Sequence, residues 1–507
     1  MNNPDLTPSQ FGTVFKAFME TVTAAAAPPG GPLLDRIQAH LGADPATLPV
    51  IGEEFDAFEH PNVQVALDDY LAGDGRMAEI IGIGLDNKRF MALGLSDLLS
   101  RSNFLGRPPL VEGPVDYVNF HLANDRVLSC VQFGLYLLTA GEVRLLVFVA
   151  GPSDSGGPRR KVRVEVLASS TEDAQALLGA LIERMGRLNI YRGQTISLSP
   201  MQFGPGPQTL VTFHTLPTVA RDDVILPAGT LERIERQTLG VAEHAEQLLA
   251  AGRSLKRGLL LYGPPGVGKT LTLMHLIGRM QGRTTILTTG VGMGLLQAVA
   301  QMARSLAPAL VVLEDVDLIA EDRSRPGAGG PLLFELLNEM DGLRDDCDII
   351  FILTTNRPDV LETALAARPG RIDLALEFPL PDAPGRERLF ALYSRGLTLR
   401  DVDLAALVAR TEGASPAYIK ELLRKAAVLA VSDPAADRAA DGIAVTGAHL
   451  DAALEEFGAG GRLARRLLGL YCAADQPPAT GAVPMPRPSG TTGYPNTGWI
   501  GAAVTRD

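Results

Sequence analysis

The chain has 507 residues, of which 46% are hydrophobic and 21% are charged, so most of it should fold into globular domains, roughly three for this length. Its 46 basic and 58 acidic residues give a net charge of −12, which argues against a protein whose main task is to neutralise a nucleic-acid backbone. Three widely spaced cysteines, Cys130, Cys347 and Cys472, form no CxxC pair. This disfavours disulfide scaffolds and cysteine zinc sites, and it fits a reducing cytoplasm.

The N-terminal sequence has no basic region followed by an apolar one, so no secretory signal is predicted. The longest conspicuously apolar stretch without charge covers residues 127–141 and is shorter than the ~20 residues that a membrane-spanning helix needs. We therefore predict no membrane span and interpret this stretch as a buried pair of strands.

Two regions precede the part of the chain that carries recognisable chemistry. Residues 1–110 are predicted to be mostly helical, with a Pro/Gly-rich interruption at 24–34. Residues 111–216 contain runs rich in β-branched side chains, separated by turn signals, and one helical segment at 171–185. They predict an α+β unit that serves as a substrate or regulatory domain.

The C-terminal half divides into three parts. Residues 217–382 alternate short apolar strands with helices, the pattern of a doubly wound parallel sheet in an α/β domain. Residues 383–470 are predicted to be helical throughout and to form a small separate lid. Residues 471–507 are rich in Pro, Gly and Thr, a composition typical of disorder.

The strongest motif, G-x-x-x-x-G-K-[ST], follows the first strand of the alternating region and precedes a helix. Glycines at these spacings let backbone N–H groups surround phosphate oxygens, to which the helix N-terminus adds positive charge. The lysine can contact the β- and γ-phosphates, and the threonine hydroxyl can bind Mg²⁺. This P-loop consists of Gly263, Pro264, Pro265, Gly266, Val267, Gly268, Lys269 and Thr270.

A second motif ends a buried strand with carboxylates. Four apolar residues precede Glu314 and Asp315, and Asp317 follows two positions later. Acids at the carboxyl edge of a parallel sheet lie where ligands bind in such folds. One of them can hold the hydration shell of Mg²⁺ while its neighbour polarises the attacking water.

Four segments, taken in chain order, resemble the ATPase module of the AAA family. They are LLLYGPPGVGKT, LVVLEDVD, LLFELLNEMDG and TTNRPDVLETALAARPGRIDLALEFPLPD. Similar modules occur in proteasomal regulatory ATPases, membrane-bound AAA metalloproteases and the mitochondrial translocase of the Rieske protein. The resemblance covers residues 217–470 and implies a P-loop NTPase fold with a helical lid, which binds ATP and Mg²⁺ and hydrolyses the ATP.

The resemblance also implies a role for individual residues. Glu314 occupies the position of the Mg²⁺-associated acid, and Asp315 that of the catalytic acid. Their order is swapped relative to the common Asp-Glu, as it also is in the Rieske-protein translocases. Asn356 matches the residue that senses the γ-phosphate. Arg368 and Arg371 match the arginines that reach the nucleotide of a neighbouring subunit, where a guanidinium stabilises charge on the transferred phosphoryl group.

Arginines supplied to a neighbour imply a ring, and the resemblance implies a homohexamer. It also places the turn at 413–416 near the adenine and ribose. The segment at 224–226 either lines the adenine pocket or is ordinary core.

Two features of the family are missing from this chain. No aromatic residue lies between Thr270 and Leu310, where many AAA unfoldases carry a pore-loop aromatic, and Met293 is the closest substitute. No HExxH motif exists, which excludes the metalloprotease activity of the membrane-bound relatives.

The leading hypothesis is a chaperone-like motor that remodels an unidentified protein. The alternative is an assembly scaffold that is controlled by nucleotide and turns ATP over slowly. A nucleic-acid motor is disfavoured by the charge.

Overall fold

The computed structural model describes residues 12–18, 32–84, 93–99, 111–153, 161–198, 211–288, 295–317, 347–359, 372–433, 442–459 and 469–471. The chain divides into two compact units, Met1–Arg395 and Gly396–Asp507. The first unit contains two seven-stranded sheets, and the second contains helices with a two-stranded sheet.

The first sheet is antiparallel, with the order β1-β7-β6-β5-β2-β3 and with β4 paired to β5. Its strands are β1 Val50–Phe55, β2 Arg76–Ile83, β3 Glu112–Gly113, β4 Asp116–His121, β5 Val127–Ala140, β6 Val143–Ala150 and β7 Val162–Ala168. Its helices are α1 Pro32–Leu41, α2 His60–Leu71, α3 Leu95–Leu99 and α4 Thr171–Arg187.

Helices cover both faces of this sheet. Residues of α2 and α4 pack against one face, and residues of α1 and α3 pack against the other. Along β6, Val147 belongs to the first of these cores and its neighbour Phe148 to the second. Burial on both faces explains why β5 and β6 have nearly continuous apolar sequences.

One prediction about this region is wrong and another is incomplete. Residues 127–141 do not form a pair of strands, because 14 of them form the single strand β5. Residues 1–110 also supply the strands β1 and β2 to the sheet, which the prediction of a mostly helical region did not include. β1 is an edge strand that exposes residues 52–54, and it therefore lacks the apolar run that would have indicated a strand.

The second sheet has the order β14-β10-β13-β12-β11-β8-β9, and all its pairings are parallel except that of β8 with β9. Its strands are β8 Thr195–Leu198, β9 Val211–Phe213, β10 Arg257–Tyr262, β11 Thr284–Thr288, β12 Ala309–Leu313, β13 Ile349–Thr355 and β14 Leu374–Glu377. The helices that follow β9 are α5 Thr230–Glu243, α6 Ala245–Ala250, α7 Lys269–Arg279, α8 Leu296–Ser305 and α9 Ala383–Tyr393.

Apolar residues of α5 and α7 pack on one face of this sheet and those of α8 on the other. The predicted doubly wound α/β architecture is confirmed. The extent of the sheet was not predicted, because β8 and β9 were assigned to the preceding α+β unit. β8 instead pairs with β11 over Thr195–Ser197, which continues the parallel sheet upstream of residue 217.

The turn between α4 and β8 joins the two sheets. Arg192 donates hydrogen bonds to the carbonyl oxygens of Ser305 and Ala307 at the end of α8, and to that of Gly186 in α4. The Tyr191 hydroxyl donates to the Phe58 carbonyl, just before α2, at 2.5 Å. The first sheet is therefore connected to the second through α2, α4 and α8.

The second unit contains α10 Leu404–Arg410, α11 Pro416–Ser432 and α12 Gly447–Ala459, together with the parallel strands β15 Leu397–Arg400 and β16 Ile443–Thr446. The prediction that residues 383–470 are helical throughout is therefore wrong at these two strands. Each has only four residues, too few for a strand periodicity to stand out between helices.

We expect the ion pair of Arg283 and Asp348 to stabilise the second sheet. Arg283 donates to both carboxylate oxygens, at 2.8 and 2.7 Å, and its side chain is 6% exposed. Asp348→Ala should lower the free energy of unfolding by about 3–5 kcal/mol, because it leaves a buried guanidinium without its counter-charge. Urea unfolding followed by circular dichroism measures this.

Two variants control this experiment. Glu421→Ala breaks the exposed pair with Arg424 and should cost at most about 1 kcal/mol. Adding Arg283→Met to Asp348→Ala should recover part of the loss, because the unpaired charge is then gone. A cost of Asp348→Ala no larger than that of Glu421→Ala would contradict the stabilising role.

Candidate nucleotide-binding site

The P-loop leaves the carboxyl end of β10 in a conformation that needs glycine. Gly263 has a φ of 149°, and a Cβ atom there would lie 2.2 Å from the Phe378 carbonyl oxygen. Gly266 and Gly268 also have positive φ, at 79° and 101°, which side chains rarely adopt. The loop therefore wraps tightly, and α7 begins at Lys269, so the last two residues of the P-loop form the start of the helix.

Lys269 is buried at the centre of the site. Its Nζ donates to the carbonyl oxygens of Gly263 and Pro264, at 2.8 and 3.0 Å, and to Oδ1 of Asn356 at 2.8 Å. Burial lowers the pKa of Lys269 to about 8, while Asp315 and Asp317 oppose that shift. The ammonium is thus held at the loop with less hydration than a surface lysine has.

This pKa predicts a pH dependence of phosphate binding. Below about pH 8 the lysine is already charged, so the affinity for MgADP should not change with pH. Above pH 8 the Lys269 amine is mostly neutral and must take up a proton when the phosphates of MgADP bind. The affinity for MgADP should therefore fall by up to about tenfold per pH unit. Titrations between pH 7 and 9.5 measure this. Lys269→Arg is the control, because its guanidinium stays charged throughout. The same decline in that variant would assign the effect to another group.

A hydroxyl and a carboxylate meet at the start of α7. Thr270 Oγ1 donates to Glu314 Oε1 at 2.8 Å, across the 44 residues that separate them. Oxygen ligands of this kind suit Mg²⁺, which binds one or two protein oxygens and keeps several waters. The two residues that the sequence predicts for the metal are therefore close enough to share one ion.

Asp315 and Asn356 form the other half of the site. Asn356 Nδ2 donates to Asp315 Oδ1 at 3.0 Å, while its Oδ1 accepts from Lys269. Asp315 has a φ of 52°, and its N–H donates to Thr354 Oγ1 at 3.1 Å. Aspartate tolerates positive φ better than longer side chains do. This conformation is a physical reason why the shorter acid stands at position 315.

Sequence reasoning assigned no role to Asp317, although it belongs to the motif that was singled out. The structure buries it beneath Asn356, where Oδ1 accepts from the Thr355 hydroxyl and from the Asn356 N–H. The signal was a third acid at the same strand end, placed two residues after Asp315. Its partners lie 38 and 39 residues away along the chain, so the sequence did not indicate them.

The other predicted site residues fall into two groups. Arg368, Arg371 and Met293 lie outside the described residues. In the second unit, Ser415 caps α11 by accepting from the Tyr418 N–H at 3.2 Å, and Gly413 has a φ of 77°.

The segment at 224–226 borders a cavity of about 390 Å³ in the first unit. Ala391 and Leu392 of α9 form its apolar side, and Leu226 packs partly against the core. The residues that line the cavity are Arg221, Asp222, Val224, Ile225, Arg388, Ala391, Leu392 and Arg395.

No helix in the described part of the chain is both long enough and apolar enough to cross a membrane.

Residues 259–380 match the family described as ATPase family associated with various cellular activities (AAA). The proteasome-activating nucleotidase of Thermococcus gammatolerans (strain DSM 15229 / JCM 11827 / EJ3) is 33% identical over an alignment of 259 positions that covers 45% of this chain and 64% of that protein. The ATP-dependent zinc metalloprotease FtsH of Synechococcus sp. (strain JA-2-3B'a(2-13)) is 35% identical over an alignment of 238 positions that covers 44% of this chain and 36% of the relative.

The chain thus spans less than two thirds of the length of these relatives. The residues that match the family, 259–380, contain the P-loop and both acids. It includes an AAA ATPase domain of the P-loop NTPase class, homologous to the AAA modules of proteasome-activating nucleotidases and FtsH.

Proposed function

We propose that this protein hydrolyses ATP with Mg²⁺ and works as an oligomeric motor that remodels another protein. The observation that supports hydrolysis is the convergence of Lys269, Asn356 and Asp315 in one hydrogen-bonded row, beside the Thr270–Glu314 pair. A cation, an amide and a carboxylate side by side are what phosphoryl transfer to water requires.

Each residue has one task in this proposal. Lys269 and the loop N–H groups hold the phosphates, and Thr270 and Glu314 hold Mg²⁺, which neutralises phosphate charge when bound. Asp315 accepts a proton from the attacking water, and Asn356 orients that water. In this proposal the purine ring takes the apolar side of the cavity, at Val224, Ile225 and Leu392.

The motor function rests on the homologous modules and on Arg368 and Arg371. If these arginines complete the site of a neighbour, as the resemblance implies, turnover requires assembly into a ring, and a hexamer is the proposed form. The proteasome-activating and FtsH relatives are named for roles in protein degradation, which supports a protein substrate. An assembly scaffold with slow turnover is the second candidate. It is favoured by the absence of an aromatic residue between Thr270 and Leu310.

Steady-state ATP hydrolysis, measured against protein concentration, tests the proposal. A motor is expected to turn over ATP at about 1–10³ s⁻¹, and the rate per subunit should rise cooperatively as rings form. Tight ATP binding with turnover far below this range would support the scaffold instead. Absence of both binding and turnover would contradict either function.

Arg371→Ala is expected to reduce turnover by about 10³-fold or more while ATP binding to the isolated subunit stays unchanged. Arg424→Ala is the control, because this arginine pairs with Glu421 on an exposed helix face. A normal rate in Arg371→Ala would contradict the shared interface, and equal losses in both variants would indicate a general charge effect.

A further inference from the structure

Asp317 is a buried acid whose side-chain hydrogen bonds, within the described part of the chain, join it to Thr355 and Asn356. Its side chain lies below the segment that carries Asn356, and the residue is 6% exposed. An ionised acid is costly to bury unless hydrogen bonds compensate it. Asp317 Oδ1 accepts from Thr355 Oγ1 at 2.8 Å and from the Asn356 N–H at 3.2 Å, so its bonds go to the last residue of β13 and to the residue that follows it.

These bonds belong to a continuous set of hydrogen bonds between residues 315–317, which follow β12, and residues 354–356 at the end of β13. The Val316 N–H donates to the Thr354 carbonyl oxygen at 3.0 Å, and the Asp315 N–H donates to the Thr354 hydroxyl. The Thr355 hydroxyl donates to Asp317 and accepts from the Arg357 N–H at 2.9 Å. The ends of β12 and β13 are therefore linked at three successive positions, and Asp317 forms the last link.

Asn356, at the end of this set of hydrogen bonds, must place its side chain so that it makes two contacts at once. Its side chain spans two groups, with Oδ1 2.8 Å from Lys269 Nζ and Nδ2 3.0 Å from Asp315 Oδ1. Both contacts depend on where its backbone lies. Asp317 is the side chain that holds the backbone N–H of Asn356.

We propose that Asp317 is a positioning residue for ATP hydrolysis, which fixes Asn356 between Lys269 and Asp315 through the Asn356 N–H and the Thr355 hydroxyl. The inference rests on the proposed ATPase function. A shift of the reacting geometry by about 1 Å can cost about 10²-fold in rate, whereas phosphate binding depends mainly on the P-loop. Loss of Asp317 should therefore lower kcat far more than it raises KM.

Four variants of the full chain test this, each assayed for kcat, for KM and for equilibrium binding of MgADP. Asp317→Ala should lower kcat by about 10- to 100-fold, with the Kd for MgADP within about threefold of wild type. Asp317→Asn keeps a carbonyl oxygen that can accept both bonds, so it should restore most of the lost kcat. Thr355→Val removes one of the two bonds and should lose more kcat than Thr355→Ser, which keeps the hydroxyl.

Three results would overturn the inference while leaving the ATPase function intact. They are a wild-type kcat in Asp317→Ala, a loss of MgADP binding in proportion to the loss of kcat, and an equal loss in Asp317→Asn and Asp317→Ala. If Asp317→Ala does not fold, Asp317→Asn and the two Thr355 variants test the inference in its place. Equal kcat values in Thr355→Val and Thr355→Ser would then contradict the hydrogen-bond mechanism. A wild-type protein that binds MgADP without hydrolysing ATP would overturn the proposed ATPase and this inference together.

Discussion

Replacement of Lys269 by alanine is expected to lower the affinity for MgATP by roughly 30-fold to several thousand-fold. Truncating one partner of a buried, hydrogen-bonded charge pair costs about 2–5 kcal/mol, and each 1.4 kcal/mol is a factor of about ten in affinity. Lys269 is buried, and its Nζ lies within 3.0 Å of two loop carbonyl oxygens, so no surface cation can take its place. Isothermal titration with MgATP measures the effect.

The fold should survive this substitution. Burial removes water from the Lys269 ammonium and lowers its pKa. Replacing the lysine therefore removes this desolvation penalty, although it also breaks three hydrogen bonds. Lys161→Ala is the matched control, because Lys161 is exposed and lies just before β7 of the first sheet. An affinity of Lys269→Ala within threefold of that control would contradict the assignment of the phosphate site.

The parts of the site that could be predicted from the sequence are those encoded in continuous segments. The P-loop is such a segment, because its glycines, its lysine and its threonine all lie within eight consecutive residues. Glu314 and Asp315 could be placed because a buried strand leads directly to them. The alternation of strands and helices then indicates that both segments end at the same edge of a parallel sheet.

The parts that could not be predicted depend on pairings between distant segments. The bond between Asp317 and Thr355 follows from the adjacency of β12 and β13, which the sequence does not specify. The same reason applies to β8, which pairs with β11, a strand about 90 residues further along the chain. The positive φ of Asp315 is set by tertiary contacts with Thr354, so the order of the two acids could be noted but not explained.

Replacement of Asp315 by asparagine is expected to lower kcat by about 10²–10⁴-fold and to leave MgATP bound with wild-type affinity. The amide keeps the size of the side chain and can still contact Asn356, but it cannot accept a proton from water. Asparagine also adopts positive φ readily, so the backbone at 52° should not be strained. Single-turnover and steady-state assays with MgATP separate the chemical step from binding.

Asp401→Asn is the matched control, since Asp401 also has a φ of 52° but lies exposed in the second unit. The two variants share the chemical change and the backbone conformation, and they differ only in their place in the molecule. A full loss of ATP binding in Asp315→Asn would mean that Asp315 holds the metal and that Glu314 is the base, the reverse of the roles proposed here. Turnover equal to that of Asp401→Asn would mean that hydrolysis does not need a carboxylate at position 315. Only retention of ATP with a selective loss of kcat is consistent with the contacts that Asp315 makes, to Asn356 on one side and to Thr354 on the other.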